Sequence, residues 1–167
     1  MGALLDRLRG RPRLDPTRIR TVWNCHIGTH EEYFYRVLLN VVRRDDGMHE
    51  ILMPKQYTKN DDEREFVLRL LASRFVSFFH GIIMEEQLTN LHKLKDSCYK
   101  LGQQHTGYSK KIFKLVYWDV FCLAMLEELE NRGGVPREEL RAWQTLLHII
   151  NENMLAGYLD AKQEGRE

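Results

Sequence analysis

Apolar residues recur at three- and four-residue steps along most of this chain, and strict alternation is absent. Such spacing predicts amphipathic helices. Asp15-Pro16-Thr17 marks the first start, since Asp caps a helix N-terminus and proline fits its first position. Ile19, Val22 and Trp23 follow at helical spacing, and Gly28 ends or bends the element. Thr29-His30-Glu31-Glu32 opens a second helix with acidic residues where the helix dipole favours them. Its apolar positions are Phe34, Val37, Leu38, Val41 and Val42, and Asp45-Asp46-Gly47 stops it. Residues 48–60, with Pro54 between apolar and polar pieces, read as irregular. Asp61-Asp62-Glu63 starts a long helix running past Phe66, Leu70, Ser73, Val76, His80, Met84 and Leu88. A shorter helix is expected over 91–104, with Gly107 at a corner. Residues 111–129 form a long helix dense in aromatics (Phe113, Tyr117, Trp118, Phe121), closed by Gly133-Gly134. Pro136-Arg137-Glu138-Glu139 opens the last helix, which carries Leu140, Trp143, Leu147, Ile150, Met154 and Leu155 and frays after Gly157. The expected fold is all-α, with about six to eight helices of unequal length.

At 167 residues the chain is large enough for one substantial core and too short for two. Residues 1–14 contain Arg7, Arg9, Arg11 and Arg13 broken by Gly10 and Pro12, which reads as a basic linker or frayed arm. The domain proper is expected over 15–163, followed by a tail at 164–167. A formal net charge of +1 provides no global field for nucleic acid. No membrane span is expected, because Arg69, Arg74 and Glu85 break the most apolar runs. Cys25, Cys98 and Cys122 are scattered and odd in number, so they read as reduced thiols of a cytoplasmic protein. No nucleophile–base pair or phosphate loop is present. The adjacent acids Glu85-Glu86 and Glu127-Glu128 read as solvated helix faces.

Two histidines carry the candidate chemistry. His105 ends a short helix before a glycine corner, with Leu101 one turn earlier. His80 sits at helical spacing with Ser73, Val76, Met84 and Leu88. Imidazoles on two facing helices suit gripping a haem iron from both sides, because iron takes a neutral ring nitrogen while the other nitrogen is held by a hydrogen bond. Cys25, His26 and His30 also place imidazoles one turn apart, but Gly28 interrupts the helix and no further ligand pair follows. His49, His92 and His148 are given no metal role.

Leu101-Gly102-Gln103-Gln104-His105 resembles the Leu-Gly-x-x-His run of the globin family, in which the histidine is the proximal haem ligand. The stretch from Trp143 through Gly157-Tyr158 is similar to the last globin helix. Tyr33-Phe34-Tyr35-Arg36-Val37-Leu38-Leu39 resembles the second, and Trp23 stands where the first commonly has a Trp. In style the chain resembles neuroglobin-like and nematode-type globins. The resemblance implies a globin fold around haem b, with His105 and His80 as iron ligands and Phe34, Val76, Phe79, Met84, Leu101 and Phe113 against the cofactor. Counting back from His105 puts the distal site at Val76, whereas Gly81 after His80 puts it at His80; both registers keep His80 on the haem side. Where globins carry a Phe against the haem, residues 45–64 hold none, leaving Met48, Leu52 or Tyr57 for that place. Arg74 and Lys110 are candidate propionate partners. The implied function is binding of a diatomic gas such as oxygen, or redox sensing and electron transfer with a signalling or electron-transfer partner. The alternatives are a haem enzyme acting on nitric oxide, nitrite or peroxide, and a haem-free globin-fold regulatory module.

Overall fold

The computed structural model describes residues 14–30, 32–55, 58–84, 86–107 and 114–164. Seven α-helices and no strand occur among them: α1 (Pro16–Val22), α2 (Tyr33–Arg44), α3 (Asp46–Leu52), α4 (Asp61–Met84), α5 (Leu91–Gln104), α6 (Val116–Arg132) and α7 (Arg137–Glu164). The all-α expectation holds. Residues 1–13 of the expected basic arm (1–14) and the last three residues of the expected tail lie outside the described residues, while Glu164 ends α7.

Local chemistry accounts for most helix ends. The Asp15 carboxylate accepts from the Arg18 backbone N–H at 3.0 Å, with Pro16 in the first helical position. At its other end α1 runs into a π-helical turn, Trp23–Ile27, closed by Gly28 N–H donating to the Trp23 carbonyl at 2.7 Å. A Cβ at Gly28 would lie 3.0 Å from Trp23 Nε1, so the indole folds over the glycine. Asn60 caps α4 by accepting from Glu63 N–H at 2.8 Å, while Glu63 accepts from Lys59 N–H at 2.6 Å. Asn90 caps α5 in the same manner. Gly133 and Gly134 have φ of 71° and 76°, a left-handed conformation that glycine adopts without steric cost.

Three boundaries differ from the sequence expectation. Asp45 does not only stop α2; its side chain accepts from Met48 N–H at 2.9 Å and so starts α3 in a stretch expected to be irregular. The long helix ends at Met84, and residues 86–88 form a separate 3₁₀ turn. The first helical residue of α6 is Val116; the expected earlier start at 111–113 lies outside the described residues.

The core runs through every helix. α5 lies along α7 in the most extensive helix pairing, α2 packs on α4 and α6, and α1 packs on α7. A column of rings marks the centre: Phe34 stacks on Phe75 and Phe79 at 5.7 and 5.4 Å between centroids, and Phe79 meets Trp143 at 5.4 Å. Tyr33 donates its buried phenol to the Met125 carbonyl at 2.6 Å and joins α2 to α6. Nearby, Glu128 is buried against Arg132 at 3.1 Å and Arg36 at 3.9 Å, and Glu127 pairs with Arg44 at 2.5 Å. Those two acids therefore bridge α6 to α2 instead of forming a solvated face.

By length and composition α4 is apolar enough to cross a membrane, contrary to the expectation of no such segment. Its inner face (Leu68, Ala72, Phe79, Ile82, Ile83) is buried in the fold, while Phe66, Leu70, Val76 and Met84 are exposed.

Candidate functional site

α5 ends at Gln104, and the chain tightens into a 3₁₀ turn over His105–Gly107. That turn swings the His105 ring back along its own helix, where Nδ1 lies 2.7 Å from the Leu101 carbonyl. A carbonyl can only accept, so in this contact Nδ1 donates and Nε2 is the ring nitrogen on the other side of the imidazole. Trp118 on α6 meets the His105 ring edge to face at 5.6 Å, and Tyr158 on α7 meets Trp118 in turn. The imidazole is thus held in both position and tilt.

His105 lines a cavity of about 390 Å³. α3 contributes Ile51 and Leu52, and α4 contributes Val67, Leu70, Leu71, Arg74, Phe75 and Phe79. From the far side come Trp118, Phe121, Cys122 and Met125 of α6 and Leu147, Ile150, Asn151 and Met154 of α7. Apolar walls with a few polar groups are the usual make-up of a cofactor pocket. Asn151 donates to Asp119 at 2.6 Å. Arg74 makes no ion pair among the described residues and is the one cation on the described wall. An imidazole on the wall of an apolar slot, held at Nδ1, fits the requirements of a haem iron, and a cation on the same wall fits a carboxylate at the haem edge.

The other expected site residues are distributed unevenly. Phe79 lines the cavity with His105. Leu101 takes part through its backbone carbonyl. Phe34 stands one ring behind the wall, stacked on Phe75 and Phe79. Val76 turns to a separate outer groove with Trp23, Phe34 and Tyr35, and Met84 is 56% exposed. His80 is exposed beside Trp23, with 6.3 Å between ring centroids, and is not on the cavity wall. At about 100° per residue, His80 lies about 165° around α4 from the middle of the cavity face. The structure does not bring His80 and His105 together. Phe113 and Lys110 lie outside the described residues, as does Tyr57. Of the three residues weighed for the missing Phe, Leu52 is on the wall and Met48 is buried in the core.

Sequence reasoning missed Val67, Leu70, Leu71 and Phe75. They repeat every three to four residues, and stepping back from Phe79 by four reaches Phe75 and Leu71.

The cavity also holds a thiol. Burial, with a smaller contribution from the Asp119 charge, pushes Cys122 up to about 12, and burial alone pushes Cys98 to the same value. Both stay protonated where an exposed thiol ionises. Ellman's reagent at pH 8 is therefore expected to label Cys25, the exposed cysteine, in the fast phase and the other two only with unfolding. Rapid labelling of Cys122 would contradict the shielding of its thiol. Since the unfolded thiols ionise near 9.0, raising the pH from there toward 12 favours the unfolded chain.

The globin family model matches residues 55–154, a span that holds α4, α5 and α6, the His105 turn and most of α7. Comparison with curated proteins and with solved structures returns no match.

Proposed function

The chain belongs to the globin family, and we propose that it binds haem b through His105 alone and takes up a diatomic gas such as oxygen at an iron not blocked by His80. The observation that carries this reading is the His105 imidazole on the cavity wall with Nδ1 tied to the Leu101 carbonyl. Haem, when bound, supplies the iron at which a small neutral gas coordinates reversibly.

The chain's own residues do the rest. His105 would offer Nε2 to the iron, and the Leu101 carbonyl holds Nδ1 and keeps the ring in one orientation. Trp118 restrains the ring from the side. Leu71, Phe75, Phe79, Phe121 and Leu147 give the slot its apolar walls. Arg74 is the candidate partner for a propionate.

A preference for redox sensing or electron transfer depends on a second histidine at the iron, and the exposure of His80 beside Trp23 supports a five-coordinate, gas-accessible state instead. The neuroglobin-like assignment depends on the same residue. The test is the reduced spectrum of wild type beside His80→Ala after haem reconstitution. Both are expected to show the broad visible band of a five-coordinate ferrous haem, and carbon monoxide is expected to bind both equally. Sharp split visible bands that vanish in His80→Ala would restore the two-histidine reading. Absence of any Soret band would leave the haem-free module.

A further inference from the structure

Haem ligation by His105 requires α5 to stand at one depth, and the pairing that sets this depth is unusually close. Where α5 crosses α7, each helix presents a glycine to the other's backbone. A Cβ on Gly102 would lie 2.0 Å from the Met154 carbonyl oxygen, and one on Gly157 would lie 2.0 Å from the Tyr99 carbonyl oxygen. Both obstacles are main chain, so no rotamer change relieves them. The two contacts are reciprocal: Tyr99 is three residues before Gly102, and Met154 three residues before Gly157. Gly102 itself is buried, three residues ahead of His105.

We propose that Gly102 and Gly157 form a positioning device for His105, letting α5 and α7 meet backbone to backbone at the one separation that puts the imidazole in reach of the iron. The inference rests on the reading of His105 as the haem ligand. Any side chain at either position must push the helices from 2.0 Å to at least 3.0 Å of Cβ–oxygen separation, a movement of about 1 Å. Ligating constellations tolerate about 0.5 Å before they fail. Because Met154 also lines the cavity, the same crossing joins the wall to the ligand-bearing turn.

Haem affinity measured in two backgrounds separates positioning from plain packing. In protein that keeps His105, Gly102→Ala and Gly157→Ala are each expected to weaken haem binding about 10- to 100-fold, the cost of losing a supporting partner of a metal ligand. In a His105→Gly background, where dissolved imidazole supplies the ligand without attachment to α5, the same alanines are expected to weaken binding far less, because only the Met154 contribution to the wall is disturbed. An equal loss in both backgrounds overturns the proposal, as does an unchanged affinity in both. If Gly102→Ala fails to fold, Gly157→Ala carries the same comparison, its Cβ striking the crossing from the other helix. Failure of both to fold assigns the glycines to packing alone and also overturns it. If His105→Gly without imidazole binds haem as wild type does, the ligand assignment itself fails, a result distinct from any of these.

Discussion

Replacing His105 with glycine is expected to weaken haem retention by more than about 100-fold, beyond what losing a supporting partner of a metal ligand costs. Millimolar imidazole in the buffer is expected to restore the ferrous spectrum, because the cavity that surrounds the ligand is built by other helices. The Leu101 carbonyl and the Trp118 edge remain in place in this variant, so a soluble imidazole enters a slot already shaped for it. His80 provides an internal comparison: it has the same side chain but lies off the wall, and its loss is expected to leave the spectrum alone. A His105→Gly protein whose spectrum matches wild type without imidazole would show that the iron is held elsewhere.

The largest effect on stability is expected at Phe79. Its ring is buried, stacks on Phe34 at 5.4 Å, meets Trp143 at 5.4 Å and faces the cavity with its remaining edge. Truncating such a residue removes its transfer free energy and opens a void among rigid neighbours that collapse poorly, which together cost about 3–5 kcal/mol. Phe79→Ala is therefore expected to lower the urea midpoint sharply in the protein without haem, with the urea slope unchanged. Phe78, its edge-to-face neighbour on the same helix, is only partly buried, so Phe78→Ala is expected to cost less. Comparable losses at the two positions would remove Phe79 from the centre of the core.

The same two residues show how much of the molecule could be read from the chain alone. His105 was legible because a Leu-Gly-x-x-His run, a helix end and a glycine corner coincide, each limiting the others. Most helix spans were legible for a similar reason: capping residues and apolar steps agree at Asp15 and at Gly133. The distal face was harder. α4 is apolar nearly all round, so the face containing Val76, His80 and Met84 follows helical spacing as well as the face containing Val67, Leu71 and Phe75. Periodicity selects a face only when the opposite one is polar. What decides between them is which neighbours lie where, with Trp23 of the π-helical turn beside one face and α6 and α7 across from the other. α3 was illegible for a different reason: Asp45 both stops α2 and caps the next helix, and a stop signal hides a start on the same residue.

Cys122 gives the cavity a built-in reporter. Its proton stays on sulfur throughout the neutral range, and an S–H bond absorbs infrared light in a window where no other protein group does. The frequency and width of that band follow the polarity around the sulfur, so an unlabelled sample announces whether the slot is wet, dry or filled. Cys98, a buried thiol, sits off the cavity wall and supplies a steady reference band in the same sample.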